Sequence, residues 1–218
     1  MSYMRVAAVI PALNEEATIG AVVSTLRHVN IVNEIIVVSD GSTDQTAEVA
    51  RRAGARVIEH KENMGKAGAM KTGFSATDAP VILFLDADLI GLSPAHVTLL
   101  LTPVLQSQAD MTIGIFEDGR GMTDLAQLVA PYLSGQRAVK REIMNEMFRE
   151  CPDADGSRFG IEVALTRHVK HKGYNTVEVM LGEMSHRMKE EKLGPIKGAA
   201  ARLKMYYEIL KYAASTKG

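Results

Sequence analysis

Val81-Ile82-Leu83-Phe84-Leu85-Asp86-Ala87-Asp88 decides how this chain is read, because five apolar residues run straight into two carboxylates. A short charge-free run of this kind predicts a strand buried on both faces, and such strands belong to parallel sheets with helices above and below. The upstream residues repeat the pattern. Val6 to Ile10 predicts a strand ended by Pro11. Glu15 to His28 predicts a helix, with Ile19, Val22, Val23 and Leu26 at helical spacing, and Glu34 to Val38 a second, β-branched strand. Asp44 to Gly54 predicts a helix with a glycine stop, Ala55 to Ile58 a third strand, and Lys66 to Ala76 a further helix. The alternation predicts an α/β fold: a Rossmann-like, mostly parallel central sheet with helices on both faces.

The second half is less regular. Met111 to Ile115 reads as a strand, Glu117 to Met122 as a polar, Gly-rich loop, and Thr123 to Glu150 as mostly helical with an interruption near Ser134-Gly135. Cys151 to Ser157 reads as a loop, Ile161 to Lys172 as a helix, Thr176 to Met180 as a strand and Gly198 to Ala214 as a last helix. No shift in composition marks a boundary, so 1–218 is expected to be one domain.

Composition narrows the function. A chain of 218 residues with 46% hydrophobic and 23% charged residues is not a disordered segment. Its 25 Lys/Arg against 26 Asp/Glu argue against a dedicated nucleic-acid binder. The single cysteine, Cys151, excludes an internal disulfide and a cysteine metal cage, and suits a reducing, cytoplasmic compartment. The N-terminus lacks the order of a signal peptide. The one uncharged stretch of membrane-spanning length, Leu89 to Ala109, contains Pro94, Pro103, His96, Gln106 and Gln108 and makes a poor spanning helix.

Four polar clusters follow strands or open a helix: Pro11 to Glu16, Ser39 to Asp44, Asn63 to Lys66, and Asp86 to Asp88. Each has a plain local reading. Asn14 and Glu15 can cap a helix, Ser39 to Asp44 can be a turn with an N-cap, and Lys66 can be solvated. Together they lie at one end of a parallel sheet, where ligands bind. If the strand continues through Asp86 and Asp88, their side chains share a face and repel, and a hard divalent cation relieves that repulsion. Asp153-Ala154-Asp155 has the same spacing but lies between Cys151-Pro152 and Gly156-Ser157, as a solvated turn would. There is no Gly-x-x-x-x-Gly-Lys-Ser/Thr, no Gly-x-Gly-x-x-Gly after the first strand and no Gly-x-Ser-x-Gly. These absences argue against P-loop, dinucleotide-dehydrogenase and α/β-hydrolase chemistry.

Read in order, Val9-Ile10-Pro11-Ala12-Leu13-Asn14-Glu15-Glu16, Val37-Val38-Ser39-Asp40-Gly41-Ser42-Thr43-Asp44, Asn63-Met64-Gly65-Lys66-Ala67-Gly68-Ala69-Met70 and Phe84-Leu85-Asp86-Ala87-Asp88-Leu89 resemble the family-two glycosyltransferases, with their A-type fold. The resemblance implies a metal-dependent transfer of a sugar from a nucleotide-diphospho-sugar, with UDP-glucose favoured, to a phosphorylated acceptor (a polyprenyl phosphate or a small phosphorylated metabolite). It implies that Pro11, Ala12, Leu13, Glu15, Asp40, Lys66, Asp86 and Ala87 bind the nucleotide sugar, with Lys66 near the diphosphate and Asp86 near the ribose. It implies Asp88 on a Mg2+ or Mn2+ ion, residues 1–90 as the nucleotide-sugar half and 91–190 as the acceptor half.

Within the family, the second half resembles the glucosyl-3-phosphoglycerate synthases and the polyprenyl-phosphate glycosyltransferases. Met180-Leu181-Gly182 followed by Ser185-His186-Arg187 implies His186 as a second metal ligand, and Phe159-Gly160-Ile161-Glu162 implies an active-site wall. Glu162 is then the catalytic base of an inverting enzyme, or a group that orients sugar or acceptor. Gly119-Arg120 and Thr123-Asp124-Leu125 resemble an acceptor-phosphate loop, which implies acceptor contacts for Arg120 and Thr123. Gln136, Arg137, Lys140 and Arg141 read as the basic face of one helix, either solvated or with Arg137 on the acceptor or diphosphate. His28, His60, His96, His168 and His171 read as structural or surface residues. Residues 187–218 hold 8 Lys/Arg and 3 Glu, so 191–218 reads as a basic amphipathic helix. It suits either an anionic membrane surface, at the inner face of the membrane, or packing on its own sheet or a second subunit. A nucleotidyltransferase and a non-catalytic nucleotide-sugar binder are the alternative functions.

Overall fold

The computed structural model describes residues 4–116, 134–150 and 160–186. Its strands are β1 (Val6–Ala12), β2 (Glu34–Asp40), β3 (Arg56–His60), β4 (Val81–Phe84), β5 (Leu89–Ile90), β6 (Met111–Phe116), β7 (Arg137–Lys140), β8 (Thr176–Leu181) and β9 (Ser185–His186). Its helices are α1 (Ile19–Arg27), α2 (Thr46–Ala53), α3 (Gly65–Ser75), α4 (Pro94–Leu105), α5 (Arg141–Glu150) and α6 (Gly160–Lys172). Seven strands form one sheet in the order β3-β2-β1-β4-β7-β6-β8, and β5 pairs with β9 in a small second sheet. β7 runs antiparallel to both of its neighbours, and the other pairings in the large sheet are parallel. The strand order reverses between β1 and β4, which opens a crevice at their carboxyl ends.

Two apolar layers enclose the sheet, and the alternation of strand side chains assigns residues to each. Val6, Ala8 and Ile10 of β1 pack with α1 and α4, through Val22, Leu26, Leu100 and Leu101. Ala7 and Val9 pack on the other face with Met70 and Phe74 of α3, Met144 and Met147 of α5, and Leu165 of α6. The Leu89 to Ala109 stretch is therefore core material: α4 is capped by Ser93, whose hydroxyl accepts from the His96 N–H, and buries Val97, Leu100, Leu101 and Val104. Among the described residues no helix is long and apolar enough to cross a membrane.

Three expectations need correction. β1 does not stop at Pro11 but runs to Ala12. Val9 C=O accepts from the Leu85 N–H, so Pro11, two residues on, turns its nitrogen toward the same side, where β4 has already ended, and no ladder bond is lost. β4 does not continue through the acidic pair: it ends at Phe84, and Asp86 and Asp88 lie in the turn beyond, so they share no strand face. The basic segment is not one helix. Arg137–Lys140 is a strand in the middle of the sheet, and only from Arg141 does the chain turn helical. None of the four residues forms a solvated face: Gln136 and Arg137 are fully buried, Lys140 pairs with Asp110, and Arg141 lies over the Phe74 ring.

Candidate active site

The loops after β1 and β2 are sewn to one another. Asn14 takes a left-handed conformation, φ 55°, and its side-chain oxygen accepts from the Thr43 N–H at 2.9 Å. Its own N–H donates to Ser42 Oγ. The Glu15 N–H donates to Thr46 Oγ1 at 2.7 Å, the Glu16 N–H to Asp44 Oδ2, and the Gln45 N–H to Glu16 Oε2. Asn14 stands outside the helix, and the Glu15 C=O accepts from the Thr18 and Ile19 N–H groups, so a turn precedes α1, which starts at Ile19 and not at Glu15. Burial pushes the Asp44 carboxyl up, but hydrogen bonds from Thr46 and the Glu16 N–H outweigh it and hold the group below the usual range. Leu13 is exposed and Glu15 half-buried at the lip, while Ala12 and Ala87 turn their methyl groups into the core.

Asp40 ends β2 and is nearly buried. Its Oδ1 accepts from the backbone N–H of Met64 at 2.8 Å and lies 2.7 Å from His60 Nδ1, while His60 Nε2 lies 2.9 Å from Thr72 Oγ1. His60 is thus part of the scaffold of the second cluster, as the β2–β3 register Asp40↔His60 requires. Gly41, at φ 72°, lets the Asn63–Lys66 turn come close: a Cβ there would stand 2.8 Å from Asn63 N. The second and third clusters are therefore one structural unit.

Lys66, in the first turn of α3, reaches across the crevice. Its Nζ lies 2.5 Å from Asp86 Oδ1 and 2.5 Å from Glu162 Oε1, the latter in the first turn of α6. Burial alone would lower the Lys66 pKa, but the two carboxylates outweigh it and hold the ammonium well above its ordinary range. Asp86 is clasped a second way. Gln136 Nε2 donates to Asp86 Oδ2 at 3.0 Å, and the Asp86 N–H donates to Gln136 Oε1 at 3.1 Å. Antiparallel β7 makes this contact, because its first residues lie beside the last residues of β4, in the register Phe84↔Arg137.

Arg137 is 0% exposed. Its Nε donates to the Ser134 C=O at 2.7 Å and its Nη1 to Thr166 Oγ1 at 2.6 Å, and the Thr166 hydroxyl donates to the Glu162 C=O. Burial lowers its pKa to about 10 against the opposing pull of Glu162 and Asp86. Lys66, Arg137, Asp86 and Glu162 sum to zero formal charge, so the cluster is neutral as a unit. Arg137, expected on the acceptor or diphosphate, gives its Nε and Nη1 donors to Ser134 and Thr166 and braces the α6 turn that presents Glu162.

Asp88 is half-buried in the turn after β4. The β5–β9 pairing sets Leu89 opposite His186, so the backbone brings residue 186 to within one position of Asp88. Arg120 and Thr123, the basic 191–218 segment and Asp153-Ala154-Asp155 lie outside the described residues. Gln136 and Gly135 went unnoticed in the sequence as parts of the site. The available signal was weak, because nothing local says that a segment fifty residues away will pair beside Asp86.

The comparisons with known proteins fit this arrangement. The family profile "Glycosyl transferase family 2" matches residues 7–169. Glucosyl-3-phosphoglycerate synthase of Mycobacterium tuberculosis is 30% identical over 221 residues, covering 84% of this chain and 66% of the synthase. The chain thus spans about two thirds of the length of that relative. A dolichyl-phosphate hexose transferase of Haloferax volcanii is 29% identical over 213 residues, covering 89% of each protein. The crystal structure of the Mycobacterium tuberculosis synthase with Mn2+, uridine diphosphate and phosphoglyceric acid superposes with a TM-score of 0.76 at 28% identity, over 97% of this chain and 78% of that one. With the sheet order, the four loops at its carboxyl edge and the family profile in agreement, the chain belongs to glycosyl transferase family 2.

Proposed function

We propose that this chain transfers a hexosyl group, with UDP-glucose the favoured donor, to a phosphorylated acceptor in a metal-dependent reaction. The observation that carries the proposal is the Lys66 ammonium set between Asp86 and Glu162 at the switch point of the sheet. Support comes from relatives whose structures hold Mn2+, UDP-glucose and phosphoglyceric acid, and from one named for a dolichyl-phosphate acceptor.

In this reading Pro11, Ala12, Leu13, Glu15 and Asp40 line the base and ribose end, and Asp86 and Ala87 the ribose and diphosphate. Lys66 holds two carboxylates in the free state, and an incoming diphosphate competes with them for its three N–H donors. Each step it takes toward phosphate loosens Glu162, which faces the crevice with its backbone pinned through Thr166 to Arg137. Glu162 then accepts the acceptor proton if the enzyme inverts, or orients the sugar if it retains. Asp88, with residue 186 set beside it, offers a carboxylate and an imidazole, a donor set that suits Mg2+ or Mn2+. Such an ion, when bound, neutralises the charge that develops on the leaving diphosphate. Arg120 and Thr123 are the proposed acceptor contacts, and peripheral membrane contact and a homodimer remain proposals tied to 191–218.

The test is a screen of nucleotide sugars against 3-phosphoglycerate and a polyprenyl phosphate, following nucleotide release with Mn2+, Mg2+ or EDTA. Metal-dependent release that needs both donor and acceptor is the expected outcome. Nucleotide-sugar binding without turnover across the panel would overturn it.

A further inference from the structure

A second polar cluster lies between α5 and α6, outside the crevice. Glu146 and Glu150, four residues apart on α5, face His168 and Lys172, four apart on α6. Lys172 Nζ takes the Oε1 atom of each, at 3.0 Å from Glu146 and 2.7 Å from Glu150. The Oε2 atoms face the imidazole instead: His168 Nε2 is 3.5 Å from Glu146 Oε2, and Nδ1 is 3.9 Å from Glu150 Oε2. Tyr174 donates its hydroxyl to Glu146 Oε2. The His168 side chain is only 4% exposed, and its Nε2 is buried without a hydrogen bond. A buried imidazole nitrogen aimed at a carboxylate that it does not bond is an unmet coordination demand.

We propose that Glu146, Glu150 and His168 form a divalent-cation site of the zinc class, separate from the donor site at Asp88. One ligand atom from each lies within 4.8 Å of the others, so a small inward shift suffices for bonds of about 2.0–2.2 Å to one ion. One imidazole with two carboxylates, leaving a fourth position to water, is a zinc-type donor set. The cluster has the right charge deficit: two carboxylates against one ammonium leave −1. Tyr174 and Lys172 both hydrogen-bond the Glu146 carboxylate and fix its orientation toward His168. Tyr174 then stays as the outer partner of a ligating carboxylate. Lys172 is the competitor, since its ammonium already bridges the two carboxylates from the solvent side. An ion here ties α5 to α6, whose first turn presents Glu162 and whose Thr166 holds Arg137. Occupancy therefore stiffens the wall of the crevice from behind.

The test uses the full chain carrying Asp88→Ala, which removes the donor-site metal, with Zn2+ alone as the probe in titration calorimetry. One-to-one binding is expected, weakened at least tenfold by His168→Gln and by Glu150→Gln. Lys172→Met is expected to tighten it several-fold, because the competing cation is gone. Co2+ in place of Zn2+ is expected to show the strong visible bands of low-coordinate cobalt, and these should vanish in His168→Gln. Glu150 is solvent-facing, so its variant keeps the test alive if His168→Gln does not fold. No binding, binding that ignores both substitutions, or weaker binding in Lys172→Met would overturn the site and leave an ion-paired helix contact. The outcome is independent of the transfer reaction, because no donor sugar or acceptor enters the measurement.

Discussion

Gly135 has no side chain, and the crevice depends on that. A Cβ built there stands 2.5 Å from Asp86 Oδ1, 2.6 Å from Oδ2 and 2.7 Å from Cγ, against about 3.4 Å for an ordinary contact. Gly135→Ala therefore displaces the carboxylate by about 0.8 Å, or the Ser134–Gln136 strand entry by as much. A bond with Lys66 and two with Gln136 help to anchor Asp86 where it is, and these must follow or break. Gly135 is not among the residues of positive φ, so alanine adds no backbone strain. A displacement near 1 Å in a reacting constellation costs about 10²-fold in rate, or roughly 2.7 kcal/mol of transition-state stabilisation. Overpacking costs about 1–3 kcal/mol of stability, which lowers Tm by only several degrees in a chain of this size. Nucleotide release at saturating metal measures the first and thermal unfolding by circular dichroism the second. Because the substitution acts through Asp86, Gly135→Ala combined with Asp86→Ala should be no slower than Asp86→Ala alone. A folded Gly135→Ala enzyme with kcat/KM within twofold of the parent would refute the reasoning, as would additive effects in the double variant.

Asp88→Ala is expected to abolish nearly all turnover while Asp153→Ala leaves it intact; equal losses, or full activity in EDTA, would remove the metal assignment. Glu162→Gln should lower kcat at least a hundredfold with little change in donor KM, whereas a loss confined to KM would make Glu162 a binding group. Asp40→Asn should weaken nucleotide affinity measured by calorimetry, since it disturbs the bonds to His60 and Met64; unchanged affinity would show that the unit does not bear on the base. Asp110 sits below the usual carboxylate range: burial pushes it up, but the Lys140 ammonium and the Asn175 N–H outweigh that. Its folded pKa is thus depressed, and its contribution is present above about pH 4 and lost as pH falls through the folded value. Asp110→Asn should therefore destabilise by about 1 kcal/mol at pH 7 in urea unfolding, with the penalty shrinking as pH falls below about 4. A penalty that stays constant with pH would show the charge to be irrelevant.

The half of the fold up to Leu89 was legible because its strands are continuous apolar runs and its turns carry their own chemistry. Even there the strand ends slipped, since the β1 end depends on where β4 stops and not on Pro11 itself. Arg137–Lys140 misled for a deeper reason. Gln-Arg-Ala-Val-Lys-Arg-Glu is helix-forming composition, and only pairing with β4 and β6 makes its first part a strand. A sequence shows that Arg137 is basic, but it does not show that Thr166 and the Ser134 carbonyl wait for the guanidinium in the interior. The polar loops at the carboxyl edge of the sheet were legible because the residues of each are near one another in sequence. The clasp of Gln136 on Asp86 and the Lys66–Glu162 ion pair were not legible, because they join segments fifty and almost a hundred residues apart.

That separation has a kinetic side. The β1–β2 and β2–β3 pairings join residues 27 and 20 positions apart and can close early, whereas β4 meets β1 only across 75 residues and β7 only across 53 or more. Refolding protein should therefore recover the Asp40 and Lys66 loops before it can perform transfer, with catalytic competence returning in step with insertion of the antiparallel strand. Activity regained after dilution from denaturant becomes a clock for the closing of these long-range pairings.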